Sequence, residues 1–351
     1  MAVYISTTII AVVISIFSMY AKKKNRTLFL VLAILAALPL FCVAAFRYNV
    51  GTDYPYTYTQ RFIWRLDGFD LSDLFEFGFI LVIDLIQLFT TNPQWLFIIC
   101  AAIFTFFVFK AIYQQSNWVP YSILMLVIGG HFFASLNLMR NFVALAIFLY
   151  AFKYIRQRRL LPFTIWMIIA FLFHKSIIIL YPLYFIYQIK LSRNATIIIV
   201  ALTVICLPVL DVIFEFVITK LKYGWYYEHK ESNITLLTST IVVNVVTLAI
   251  QLYYYNKNKD DLLYNMYMKV QLLTTLIAIC SGILPMARRL ILLPSFLQIL
   301  SIPYITNKEE NKKKKWIINI GICVMFTVFT IRQITVQEMH SVLPYQSIFS
   351  L

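Results

Sequence analysis

Long apolar runs recur from one end of this chain to the other, and they constrain its fold more than any other feature. A helix needs about 20 mostly apolar residues to cross a bilayer. Such runs occupy residues 3–20, 27–46, 93–112, 118–137, 138–154, 160–174, 176–190, 194–217, 235–255, 264–285, 289–306 and 316–334. The expected fold is all-α: a polytopic membrane protein with about 12 transmembrane helices, forming a single domain over residues 1–351. Some runs, such as 160–174, are short and require local tilt or thinning. No internal repeat is visible, and no insert is long enough for a soluble domain. Hydrophobic residues make up 61% of the chain and charged residues 13%. A chain this apolar cannot cover a water-facing surface, which excludes a disordered chain and an ordinary cytosolic nucleic-acid binder.

Charge decides the sidedness. The first run has no basic residue before it, and Lys22, Lys23, Lys24 and Arg26 follow it. A cleaved signal peptide has the opposite polarity. The expectation is a retained first span with its N-terminus outside. Segment 76–91 is apolar but short, and it carries Asp84. If it crossed, the basic stretches Lys153–Arg159 and Lys312–Lys315 would face outward, against the positive-inside rule. It is therefore read as an interfacial or re-entrant helix on the outer side. Nineteen of the 30 basic residues then face the cytoplasm with only Asp260, Asp261, Glu309 and Glu310, and the outer side is neutral. The whole net charge of +15 falls on one side. Topology explains it without nucleic acid.

The five cysteines lie singly inside apolar runs, with neither disulfide nor metal-ligand spacing. They read as small buried hydrophobes. The outer polar residues are more informative. The longest outer loop starts Arg47-Tyr48-Asn49-Val50-Gly51-Thr52-Asp53-Tyr54, where Gly51 permits a tight turn. Tyr56, Tyr58, Gln60, Arg61, Trp64 and Arg65 follow and suit an interfacial helix. Glu76 opens the short apolar segment. Arg140, His174, Arg288 and Arg289 flank spans without a long loop, and Tyr223 to His229 fill another outer loop. Ionisable groups at such depth are costly and usually functional.

Arginine binds phosphate oxygens through its planar fork and stays charged when partly dehydrated. Aromatic faces stack on sugars. A histidine or carboxylate can take a proton from a hydroxyl. The sequence has no His-x-x-x-His, Cys-x-x-Cys, P-loop or Gly-x-Gly-x-x-Gly pattern. The set fits a metal-free, cofactor-free transfer with a phosphate leaving group, the donor being a lipid diphosphate sugar at the outer leaflet.

The ordered motifs Arg47–Tyr54, Glu76-Phe77-Gly78, Asn137–Arg140, Phe173-His174-Lys175-Ser176, Arg288-Arg289-Leu290 and Pro344-Tyr345 span nearly the whole chain. In this order they resemble the EpsG family of bacterial membrane proteins, which is similar to the Wzy polymerases of O-antigen, capsule and exopolysaccharide. The chain departs from the family at Phe77, where proline is frequent, and at Asn141, where glutamine is frequent. The resemblance implies a GT-C-like glycosyltransferase in the bacterial cytoplasmic membrane with its active face outside. It would transfer a growing glycan from undecaprenyl diphosphate to the non-reducing end of another lipid-linked repeat unit. No cofactor is implied. The partners would be the undecaprenyl-diphosphate-linked oligosaccharide, membrane lipid and a chain-length regulator.

On this reading His174 is the candidate base and Arg140 the candidate holder of the diphosphate. Glu76 is an alternative base, or only a helix N-terminal charge favoured by the dipole. Arg47 and Asp53 either pair to shape their loop or, with Tyr54, touch substrate. One of Arg288 and Arg289 meets phosphate. Tyr223 either stacks on sugar or belongs to an interfacial aromatic belt. His131 reads as a packed core residue, and Lys312–Lys315 as an anchor to anionic lipid. Three rival functions stay open: a flippase for lipid-linked sugar, a polysaccharide-modifying acyltransferase, and a non-catalytic synthase subunit.

Overall fold

The computed structural model describes residues 1–220, 234–284 and 286–349. Among these residues the protein is helical, with no strand and one isolated antiparallel bridge, Arg47 to Ser347. It divides into two compact units. The first holds Met1–Tyr181 and Thr330–Leu351, and the second Pro182–Phe329.

In the first unit α1 (Ala2–Ala21) packs along α2 (Arg26–Ala45). The contact face of α1 is Tyr4, Thr8, Ala11, Ser15 and Ser18, spaced four and three residues apart. Its large residues Ile5, Ile9, Ile16 and Phe17 point outward, as do Leu30, Ile34 and Leu38 of α2. Apart from Tyr4, small residues face inward and large apolar ones outward, as helices pack when the solvent is lipid. A short π-helical stretch, Tyr54–Thr59, leads into α3 (Gln60–Leu66), and α4 (Phe77–Gln87) follows. Arg65 grips Asp84 through Nε at 2.7 Å and Nη2 at 2.9 Å, clamping α3 to α4. Next come α5 (Gln94–Gln115), α6 (Val119–Ile128), α7 (His131–Asn137), α8 (Met139–Arg156) and α9 (Leu160–Phe171). Helix α8 packs on both α5 and α9 and is buried without a break from Asn141 to Phe152. After Asn141 it is apolar or aromatic on every side over that stretch, as a central helix must be. A 3₁₀ segment, Lys175–Leu180, ends the main part of this unit.

The second unit contains α10 (Leu183–Ile186), α11 (Arg193–Ile205), α12 (Leu207–Lys220), α13 (Ile234–Asn258), α14 (Leu262–Ile279), α15 (Ala287–Ser295), α16 (Gln298–Thr306) and most of α17 (Lys312–Thr335). Asn244, Gln271, Thr275 and Gln298 bond to one another across α13, α14 and α16. Lys269 of α14 donates to the carbonyl oxygens of Ile186, Tyr187 and Ile189, capping the end of α10. These contacts satisfy polar groups that hydrocarbon would leave bare.

The helices establish a multi-pass membrane protein. Five described helices are long and apolar enough to cross a membrane, or eight if each of three bent pairs counts as one span. The apolar runs are more broken than their hydropathy implies. Run 118–137 bends by 54° between α6 and α7, where Gly130 adopts a left-handed φ of 79°. Run 194–217 bends by 68° ahead of Pro208, and run 289–306 by 49° just after Pro294. Proline removes a backbone donor and disfavours helix before it. Run 176–190 is a 3₁₀ segment and a four-residue helix around Pro182. Helix α4 has 11 residues. At 1.5 Å per residue it is about 17 Å long, roughly half the hydrocarbon thickness.

Candidate functional site

Three residues far apart in sequence meet in the first unit. Glu76 sits at the N-terminus of α4, Arg140 in the first turn of α8, and His174 just after α9. Glu76 Oε2 accepts from Arg140 Nη1 at 2.5 Å. Glu76 Oε1 lies 3.2 Å from His174 Nδ1 and accepts from the Lys175 backbone N–H, also at 3.2 Å. The imidazole contact is a close approach that lacks the in-line geometry of a hydrogen bond. Arg140 and Glu76 are only 18% and 10% exposed, whereas His174 keeps a quarter of its side chain in the open.

The backbone explains the meeting of Glu76 with His174. Gly78 N–H donates to Leu172 O at 2.8 Å, joining the start of α4 to the end of α9. Glu76 stands two residues before this bond and His174 two residues after it, so the side chains face each other. A Cβ on Gly78 would lie 2.8 Å from Leu172 O and 2.9 Å from Leu172 Cβ. Gly78→Ala should therefore push α4 from α9 and lower stability by about 1–3 kcal/mol, the usual cost of overpacking. A thermal-melting shift in detergent checks this, and an unchanged midpoint would show that the junction yields freely.

An aromatic floor lies under the cluster. Arg140 sits 4.5 Å over the Phe75 ring and 5.8 Å over Phe79. Phe75 and Phe79 meet edge to face at 4.9 Å, and Tyr58 packs against both. Arg61 lies 5.2 Å over the same Phe75 ring. Electrostatics favour the ionised carboxylate. Burial raises the Glu76 pKa, but contact with His174, the Arg140 charge and the Lys175 N–H together outweigh it and hold the group at about 2. The ordinary value is 4.5. A depressed carboxylate pKa stabilises the fold fully above the ordinary value and less as pH falls toward the native one. Glu76 should thus contribute up to about 3 kcal/mol above pH 4.5, lost between about 4.5 and 2. Comparing melting of Glu76→Gln and the parent across that interval tests it; parallel curves would contradict it.

A model of the EpsG family matches residues 30–347. The chain belongs to the EpsG family. That family is associated with polysaccharide polymerase-like proteins. No curated protein and no solved structure matches the chain. The matched range takes in the whole cluster and the loop that frames it.

In this EpsG-family chain that loop is built from Arg47 to Tyr54. Gly51 has φ +103°, and a Cβ there would lie 2.9 Å from Leu136 O. The Thr52 hydroxyl and the Asp53 backbone N–H both donate to Asn137 Oδ1, at 2.9 and 2.8 Å. Asn137 is three residues before Arg140, so the loop fixes the turn from which Arg140 projects. The C-terminal segment braces the other side. Gly51 N–H donates to Ser341 O, Tyr48 N–H to Gln346 O, and Ile348 N–H to Phe46 O.

Arg47 and Tyr54, which the sequence offers as substrate contacts, are buried at 2% and 7% exposure. Arg47 donates to Ala44 O, approaches Met139 Sδ at 3.8 Å and stacks 4.8 Å over Phe97. Tyr54 stacks on Phe97 at 4.1 Å and donates to Gln94 Oε1 at 3.0 Å. The contacts of Arg47 are these rather than an ion pair with Asp53, so the loop's shape rests on packing, backbone bonds and the side chains of Asn137 and Gln94. Asp53 turns its carboxylate to the Thr57 hydroxyl at 3.4 Å. Arg288 and Arg289 lie in the second unit, in the first turn of α15. Tyr223 lies outside the described residues. The sequence names Gly78 and Asn137 only as members of the ordered motifs, and gives Phe75 and Arg61 no part in this site. The available signal for Arg61 was an arginine within a tyrosine-rich stretch between spans.

Proposed function

We propose that this protein is a polysaccharide polymerase of the GT-C-like kind, acting on the outer face of the bacterial cytoplasmic membrane. It transfers a growing glycan from undecaprenyl diphosphate to the non-reducing-end hydroxyl of another lipid-linked repeat unit. The observation that carries this reading is the convergence of Glu76, Arg140 and His174 over an aromatic floor. Twelve crossings with α4 on the outer side keep the positive-inside balance of the loops. A chain-length-regulating partner fits the same reading.

The roles follow from the contacts. Glu76 beside Nδ1 favours the imidazole tautomer with its proton there, leaving a lone pair on Nε2. Nε2 takes the proton of the acceptor hydroxyl as that oxygen attacks the anomeric carbon. The bond from that carbon to the diphosphate oxygen breaks, and the electron pair leaves with undecaprenyl diphosphate. Arg140 meets the charge that develops on the departing oxygen. The test is to supply the purified chain with a lipid-diphosphate repeat unit and resolve the products by size. A ladder of lengthening products is expected. No ladder, with the substrate instead carried across liposomes, would replace the polymerase by a flippase.

A further inference from the structure

Arg61 has no place in the steps above, yet it stands at the same site. It is half-buried, and its guanidinium stacks on the Phe75 ring that also carries Arg140. The charged and titratable groups around it are Arg140, Asp53 and Tyr58. Glu76, the carboxylate at the cluster, bonds to Arg140 instead. Burial, and then the Arg140 charge, push the Arg61 pKa below the ordinary guanidinium value. Two guanidinium groups on one ring repel each other, and an anion between them would relieve both. Both guanidinium groups lie against the one ring, and planar forks of this kind match the oxygens of a phosphate.

The neighbourhood indicates what carries the anion. Helix α4 starts at this site, and Phe77, Leu81, Leu85 and Leu88 form an exposed stripe along it, four and three residues apart. A cationic head group site at one end of an exposed apolar helix face fits a lipid with a phosphorylated head. We infer that Arg61 and Arg140 together form a clamp for the paired phosphates of a lipid diphosphate, with Arg61 the second arm. The inference rests on the proposed reading of the site and adds a substrate-binding residue to it.

The test uses the full chain in nanodiscs, with geranylgeranyl diphosphate, geranylgeranyl monophosphate and inorganic pyrophosphate as probes. Arg61→Gln should weaken geranylgeranyl diphosphate binding by about tenfold or more, the scale of one charge-assisted contact, and the monophosphate by less. Arg61→Lys should restore part of the loss. Inorganic pyrophosphate should bind more weakly than the lipid diphosphate. Affinity unchanged in Arg61→Gln, or no binding by the parent, would overturn the clamp. Equal affinity for inorganic pyrophosphate would overturn the assignment to a lipid. A melting curve on each variant establishes that it is folded, and Arg61→Lys supplies a second variant that keeps the charge. The product ladder, run on the same preparations, separates the two ideas. A parent ladder with unchanged Arg61→Gln binding removes the clamp and keeps the polymerase. No parent ladder with lost binding keeps the clamp and removes the polymerase.

Discussion

His174→Ala is expected to slow chain elongation by a factor of about 10²–10⁴, the usual contribution of a positioned general base. Binding of the lipid donor should change by only a few-fold, because the phosphates are held by arginine. The expectation follows from two contrasts in the cluster. The carboxylate of Glu76 is committed, with one oxygen on Arg140 and the other on Lys175 N–H beside the imidazole. Its pKa of about 2 also makes it a poor base near neutral pH. The imidazole is the group of the pair left partly open. Added imidazole should recover part of the lost rate, which it would not do for a purely structural histidine. Glu76→Gln should have a smaller effect, since the ring stays in place and loses only its orienting charge. An undiminished ladder in His174→Ala would leave the polymerase and discard this base.

The second large effect concerns Arg140. Arg140→Ala should reduce elongation by about 10²–10³-fold, the scale for losing one donor to a developing oxyanion. It should also lower stability, because Glu76 is left nearly buried without its main partner. Breaking one side of such a pair costs about 3–5 kcal/mol. The two effects can be separated. In Arg140→Ala combined with Glu76→Gln no unpaired charge remains, so the melting temperature should recover while elongation does not. Recovery of both would make Arg140 a structural residue. Arg140→Lys should restore little, since a lysine keeps the charge but loses the fork and the stacking on Phe75.

Much of this protein can be read from its residues in order. Helix class and membrane location follow from apolar runs, because hydrocarbon leaves a backbone few structures that bond every polar group. Glu76, Arg140 and His174 stand out as ionisable groups at the ends of apolar segments, where charge is expensive. The individual roles are less legible. Arg47 opens the most distinctive motif, yet it is buried against Phe97 and Met139 and serves the loop rather than the surface. Exposed and buried arginines look alike in a sequence, since burial depends on neighbours that other segments supply.

What the sequence determined by itself is therefore the kind of solvent this chain needs, its helical class and a short set of costly polar residues. Hydropathy is a property of each segment alone, so it survives without knowledge of the fold. What only the tertiary structure decided is how the runs break and which of the polar residues act together. The bends depend on local backbone at Gly130 and around Pro208 and Pro294, beneath the resolution of an apolar average. The cluster depends on one close approach, Gly78 N–H against Leu172 O, between segments nearly a hundred residues apart. No pattern within either segment encodes that distance; it exists only when α4 and α9 pack.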